Sequence, residues 1–328
     1  MRFAFSVDEQ TLAQPFRVSH TTIRTASVVR LLVRDGDHSG LGEVTAGPGL
    51  AHEDPEEVVA QARRLAGRLA ESGGPASPQD LAVELAVARA DGCPPVALML
   101  VEMSCLDLLA MRARRPLWEL LALPPPTPIR LWRTVSLGDP VPDGGSRLKV
   151  KLGGPRDAEF LRRLRSLDPG TEVIVDVNRG WDRASWQTVR EPLRAARPTA
   201  VEDPVADPEL LREVRAALPD TPVLLDEEVA DLDAVERAAR DADGANIKVA
   251  RLGGLMESRR ALEFLRATGK RAMLGCFIEP PRAIAFAAQL AGLADWTDLD
   301  GHLVLGSDDR GGTLRLNTQA PGIPRLLD

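Results

Sequence analysis

Five charged residues recur along the middle of the chain at nearly constant intervals. Lys151, Asp176, Glu202, Asp226 and Lys248 follow one another 25, 26, 24 and 22 residues apart. Each closes a short, largely apolar stretch: Leu148-Lys-Val-Lys151, Val173-Ile-Val-Asp176, Val201-Glu202, Leu224-Leu-Asp226 and Asn246-Ile-Lys248. A last stretch ends in two acids, Asp298-Leu-Asp300. The interval is about one strand plus one crossover helix, which in a (β/α)8 barrel averages roughly 30 residues or somewhat less. Each charge therefore returns to the same height, at the C-terminal mouth where such barrels build active sites. A helix N-cap or a solvated loop explains any one of these acids. It does not readily explain the ordered series Lys, Asp, Glu, Asp, Lys.

Three carboxylates that converge without hydroxyl or imidazole partners repel one another unless a cation stands between them. Hard oxygen donors suit Mg2+, which keeps open positions for substrate oxygens. The four histidines, His20, His38, His52 and His302, form no spaced pair, so a zinc site is poorly supported. In Arg147-Leu-Lys-Val-Lys-Leu-Gly-Gly154, Lys149 and Lys151 alternate with apolar residues at the period of a strand. Taken alone, that stretch also reads as a solvated edge strand. Within a strand covered on both faces, two ammonium groups are costly to desolvate unless a neighbour uses them. Lys151 and Lys248 would flank the metal from opposite sides of the barrel. A metal and a neighbouring ammonium both favour a neutral amine, so either lysine can act as a base. A metal between two opposed bases is what stereochemical inversion beside a carboxylate requires.

The elements that must position these groups are legible too. Val28–Arg34, the turn Asp35-Gly-Asp37 and Ser39–Val44 read as a hairpin within a strand-rich region 1–50. Asp54-Pro55-Glu56-Glu57 starts a helix with a cap, a first-turn proline and acids at the positive end of the dipole. Further helices are expected at about 78–91 and 95–114. The stiff segment Pro124-Pro-Pro-Thr-Pro128 suggests a boundary between a capping domain, 1–123, and a barrel, 124–301. Eight strands are expected at 129–137, 147–152, 172–177, 199–202, 222–226, 245–249, 272–277 and 297–300, with helices between them. The tail 302–328 is expected to pack back on the capping domain.

With 328 residues, 44% hydrophobic and 27% charged, the chain has the composition of an ordinary globular protein. A net charge of −7 and the lack of a basic run interleaved with aromatics argue against nucleic acid. Cys93, Cys105 and Cys276 lie in apolar surroundings with no CxxC pair, which fits a reducing compartment. The N-terminus reaches Asp8 and Glu9 too soon for a signal peptide. The most apolar run, Val96 to Met111, is broken by Glu102 and Asp107 and is too short to span a bilayer. A cytoplasmic location without membrane attachment is the expectation.

The ordered motifs resemble the muconate-lactonising branch of the enolase superfamily, and within it the dipeptide epimerases of the L-Ala-D/L-Glu epimerase group. The resemblance is carried by Lys149/Lys151, Asp176-Val-Asn178, Glu202-Asp-Pro204, Asp226-Glu227 and Asn246-Ile-Lys248 with Gly253-Gly254. Leu274-Gly-Cys276, Asp298-Leu-Asp300-Gly301, Gln14–Ser19 and Gly40-Leu-Gly-Glu43 add to it, so it spans nearly the whole chain. It implies an enolase-like modified TIM barrel under an N-terminal α+β capping domain. It implies Mg2+ on Asp176, Glu202 and Asp226, with Lys151 and Lys248 as the two acid/base residues and Lys149 beside the enolate and carboxylate charge. Such sites pair a lysine base with magnesium to stabilise an enediolate. Asp298 and Asp300 would receive the α-ammonium of a small dipeptide substrate, with Thr134 and Asn178 nearby. An N-succinyl substrate has no ammonium to offer them, which favours the epimerase over o-succinylbenzoate synthase or N-acylamino acid racemase. A homo-oligomer is compatible with this group.

Several positions depart from the family pattern. Arg24, in the loop His20-Thr-Thr-Ile-Arg24, could pair with an acidic substrate side chain or be a bare surface charge. Trp132-Arg133 on strand one, Glu279-Pro-Pro-Arg282 after strand seven, and His302 read as pocket-lining, although Trp132, Arg133 and Arg282 could equally be packing or rim charge. The second capping loop, Ala46–Ala51, lacks the aromatic common there. If the substrate is L-Ala-D-Glu, Arg24 and Arg282 would meet its side-chain carboxylate. A lyase or cycloisomerase of the muconate type, with one lysine as base and the other as a cation, is a second reading. A barrel that only binds peptide is a third.

Overall fold

The structure, a computed structural model, describes all residues except 18–21, 143–146, 165, 167–169, 306–312 and 328. His20 of the expected capping loop lies outside the described residues. The chain begins with an antiparallel sheet of β1 (Arg2–Arg17), β2 (Thr22–Asp35) and β3 (His38–Ala46). The β2–β3 turn is two residues long, Asp35 pairing with His38, and Gly36 supplies the positive φ of 57° that such tight turns need. Helices α1 (Pro55–Glu71), α2 (Pro78–Ala90) and α3 (Pro95–Ala113) follow. The Asp54 side chain caps α1 by accepting from the amides of Glu56 and Glu57. Helix α3 is buried from Val96 to Ala110. It can lie directly on β3 because Gly40 and Gly42 have no side chain: a Cβ there would sit 2.2 Å from Ser104 O and 2.4 Å from Leu100 O.

A one-turn helix α4 (Leu117–Leu120) leads past the prolines to β4 (Ile129–Arg130) and β5 (Arg133–Val135). The expected single strand 129–137 is thus two. β4 pairs antiparallel with a strand near the C-terminus, β13 (Thr313–Leu316), and only β5 enters the barrel sheet. Trp132 stands between them, 1% exposed, packed with Ile174, Ala200, Leu224 and Met273. Three of these precede Asp176, Glu202 and Asp226 by two residues, so this cluster is the layer beneath the acids. The expectation that Trp132 lines the pocket is corrected by this packing. Arg133 is exposed.

The barrel continues as β6 (Arg147–Lys151), α5 (Asp157–Leu164), β7 (Glu172–Asp176), α6 (Arg183–Ala196), β8 (Ala200–Glu202), α7 (Pro208–Ala217) and β9 (Val223–Leu225). Then come α8 (Leu232–Asp241), β10 (Gly244–Lys248), α9 (Val249–Leu252), α10 (Leu255–Ala267), β11 (Arg271–Gly275) and α11 (Pro281–Ala287). A 3-10 turn (Ala288–Leu293), β12 (Trp296–Asp298) and α12 (Gly301–Leu305) complete it. The eight strands β5 to β12 form one parallel sheet in sequence order. Its curl brings the ends together: the Thr134 hydroxyl on β5 donates to Asp300 Oδ2, just past β12, at 2.6 Å. The tail forms β13 (Thr313–Leu316) and β14 (Leu326–Leu327), and its Gly322 carbonyl accepts from Leu117 N at 2.9 Å. No helix among the described residues is long and apolar enough to cross a membrane.

One buried carboxylate ties cap, barrel and tail. Asp107 of α3 accepts from Leu41 N at 2.9 Å, from Ile323 N at 2.8 Å and from the Arg282 guanidinium. Arg282 also donates to Leu41 O at 2.7 Å. A guanidinium fixed by a buried carboxylate and a carbonyl is a structural tie, so the expected role of Arg282 in gripping a substrate carboxylate is corrected.

Candidate active site

The strand register sets the site. Lys151 is paired with Asp176 and Asp176 with Glu202, while Lys248 is level with Gly275 and Gly275 with Asp298. Glu202 is level with Leu224, so Asp226 stands two residues further along, just past β9. Side-chain contacts gather the acids and lysines at one mouth of the barrel. Lys149 is paired one layer lower, with Ile174. Its long stem crosses that layer, and Nζ arrives 2.6 Å from Asp298 Oδ2, 2.8 Å from Glu202 Oε2 and 3.1 Å from Asp176 Oδ2.

The outer lysines each rest on one acid. Lys151 Nζ lies 2.5 Å from Asp176 Oδ2 and 3.4 Å from Asn178 Oδ1. The Asn178 amide in turn donates to Glu227 Oε1 at 2.7 Å. Lys248 Nζ lies 2.5 Å from Asp226 Oδ2 and 4.7 Å from the centre of the Phe277 ring, a cation–π contact. Arg251, which the motifs do not single out, donates from Nη1 to both Asp226 O and Oδ1 at 2.6 Å. Its position three residues after Lys248, one turn along α9, is the signal that could have found it. Asp203 accepts from the amides of Asp226 and Glu227, and Asn246 donates to Glu202 Oε1 at 2.8 Å.

Electrostatics follow from burial and pairing. Burial alone would lower Lys149, but Asp298, Glu202 and Asp176 overcome it and hold the amine well above its usual range. Lys248 is likewise raised, burial being outweighed by Asp226 and Glu202, with Arg251 opposing. The neighbouring acids thus favour the charged form of Lys149 and Lys248. Asp226 is lowered because Arg251 and Lys248 outweigh its burial. Glu202 is pushed up to about 7, first by burial and then by Asp176.

Among the described residues, no three His, Cys, Asp or Glu side chains close into a ready ion site; lysines stand between the acids. The donor set nonetheless fits a divalent cation. Asp176, Glu202 and Asp226 are fully buried hard-oxygen donors on three adjacent strands. Asp298 Oδ1 is buried without a hydrogen bond, and Glu202 Oε2 has only the Lys149 ammonium beside it, at 2.8 Å.

Asp300 accepts from both the amide and the hydroxyl of Thr134. Arg24 is exposed on β2, with no hydrogen bond or ion pair to another described residue. Near it the cap meets the barrel mouth: Leu12, Ile23, Ala26 and Leu50 pack with Ile278, which follows β11. The second capping loop therefore contributes Leu50, in place of an aromatic, to this closure. His302 lines a separate cavity of about 580 Å³ together with Arg282 and tail residues, and burial lowers its pKa.

Residues 140–306 match the family described as enolase C-terminal domain-like. Residues 1–122 match the mandelate racemase / muconate lactonizing enzyme N-terminal domain. A hydrophobic dipeptide epimerase from a Flavobacteria bacterium is 31% identical over 259 residues, covering 72% of this chain and 73% of that protein. Another from Roseobacter litoralis is 27% identical over 318 residues, covering 90% and 88%. A dipeptide epimerase from Cytophaga hutchinsonii, complexed with Mg and D-Ala-L-Val, has the same fold at a TM-score of 0.85 and 20% identity, covering 98% of this chain and 94% of that one. A barrel rim of two opposed lysines and three adjacent acids, under a cap that matches along its own length, leaves one assignment: the chain belongs to the mandelate racemase / muconate lactonizing enzyme family of the enolase superfamily.

Proposed function

We propose that this chain is an isomerase, a Mg2+-dependent dipeptide epimerase that inverts the α-carbon of the C-terminal residue. The supporting observation is the opposition of Lys151 and Lys248. They rise from β6 and β10, four places apart in an eight-strand order, each seated on its own acid. An α-carbon between them offers one face to each amine. One lysine, as free amine, takes the α-proton, and the C–H electron pair moves into the adjacent carboxylate. The other, as ammonium, returns a proton to the opposite face, so the two amines exchange protonation states. Held by Asp176, Glu202 and Asp226, Mg2+ would supply positive charge for the substrate carboxylate. Lys149 adds a fixed ammonium beside that charge.

Asp298 and Asp300 suit the α-ammonium of a free dipeptide. Burial and the neighbouring Asp298 push Asp300 up to about 6, so it is a carboxylate above that pH and a neutral acid below it. KM for a dipeptide should therefore rise as pH falls through about 6, and Asp300→Asn should remove that limb from the profile. If the limb persists in the variant, Asp300 does not meet the ammonium. L-Ala-D/L-Glu is the acidic candidate substrate, and Arg24 is the cation left to meet its side chain, since Arg282 is tied to Asp107. The apolar closure around Ile23, Leu50 and Ile278 suits uncharged side chains.

The reading is tested by incubating mixed dipeptide pools, acidic and apolar, with the enzyme and magnesium in heavy water. The expected result is a gain of one deuterium at the C-terminal α-carbon together with inversion. No uptake from any free dipeptide, or a product with new ultraviolet absorption, would reject it in favour of binding alone or of a lyase.

A further inference from the structure

The turn that carries Lys248 is held from outside the barrel. After β10 the chain makes α9, which bears Arg251, then reverses through Gly253 and Gly254 at φ 81° and 135° before α10 begins at Leu255. No side chain at the start of α10 caps it, since its N-cap is Gly254. Its first free amides are instead taken by Glu102, on helix α3 of the capping domain. Glu102 Oε2 accepts from Leu255 N, and Oε1 accepts from Met256 N at 3.0 Å. A Cβ on residue 254 would lie 1.8 Å from Glu102 Oε2, so the glycine is the opening through which the carboxylate reaches the helix. Arg89 of α2 grips the same turn by donating to Leu252 O at 2.7 Å.

Two capping-domain side chains thus clamp the segment 248–254. Lys248 stands at one end of it, and from its middle Arg251 holds Asp226, the acid under Lys248. Lys151 is oriented by Asp176 and Asn178, and Glu102 bonds to neither of them. Glu102 is 1% exposed, and a buried carboxylate with two backbone donors defines its position sharply. We propose that Glu102 is a positioning residue for one half of the reaction: through the N-terminus of α10 it sets Lys248 against its face of the substrate, and it leaves Lys151 untouched. This inference rests on the epimerase reading above.

The test compares full-length wild type with Glu102→Gln, which keeps the shape but only one acceptor. Deuterium uptake is followed in each substrate diastereomer separately, and Lys248→Ala shows which diastereomer depends on Lys248. Uptake through Lys248 should fall by up to about 10²-fold, the scale of an ångström's misplacement, while uptake through Lys151 stays within about twofold of wild type. Glu102→Asp, which retains the charge, should recover part of the loss. General loosening would slow both faces together.

By hydrogen exchange, the amides of 249–256 should lose protection while those of 147–151 do not. If Glu102→Gln does not fold, Arg89→Ala perturbs the same turn and should show the same one-sided loss. An equal loss on both faces, or a turn protected as in wild type, overturns the role of Glu102 alone. Wild type silent toward every dipeptide rejects the epimerase reading, and the positioning role falls with it.

Discussion

Lys248→Ala and Lys151→Ala should each abolish interconversion by about 10³-fold or more, yet each should retain deuterium uptake in one diastereomer only. Removing a positioned acid/base group costs roughly 10²–10⁴-fold, and inversion needs both groups in sequence. The surviving amine still faces one side of the α-carbon, so it can remove and return a proton there with retained configuration. The two variants should therefore be mirror images: the diastereomer labelled by one is the one the other leaves unlabelled. Structural damage is expected to be modest at Lys248, because Arg251 remains 2.6 Å from Asp226 to meet its charge. Chiral separation followed by mass measurement reads the result. Label in both diastereomers with either variant would mean the two lysines do not divide the faces.

Lys149→Ala should be the most destabilising single change in the site. The Lys149 side chain is 2% exposed and stands within 3.1 Å of Asp176, Glu202 and Asp298. Truncation leaves three buried carboxylates facing one another with that ammonium gone. Breaking a buried ion pair from one side typically costs about 3–5 kcal/mol. The thermal midpoint in chelator should fall accordingly. Added magnesium should restore much of it, and should shift the variant more than the wild type, since a divalent cation replaces the missing charge and binds only the folded state. Equal melting of variant and wild type in chelator, or equal shifts with magnesium, would show that the acids do not depend on Lys149.

Much of this site is legible in the order of residues along the chain. Each βα unit returns the chain to the same rim, so intervals of 22 to 26 residues place Lys151, Asp176, Glu202, Asp226 and Lys248 at one height. The signals that define α2 and α3 are equally local, which is why their bounds agree with expectation to within a residue or so. Arg282 departs from expectation because its partner, Asp107, lies 175 residues away on another part of the fold. The contacts of Lys149 escape the spacing for a related reason. The protonation of a buried amine depends on which acids touch it, and nothing in the spacing says that Lys149 reaches three of them.

The amino-acid sequence by itself determined the barrel, the rim and the order of charges around it, because those follow from strand period, helix length and the return of a parallel crossover. The tertiary structure alone decided the contacts between parts remote along the chain. Glu102 capping α10 from the cap, Asp107 joining cap, barrel and tail, Trp132 turned into the layer beneath the acids, and Lys149 threaded up through that layer are all of this kind. Such contacts depend on the packing of whole elements in three dimensions, and no local pattern of residues encodes where a neighbour from another part of the chain will stand.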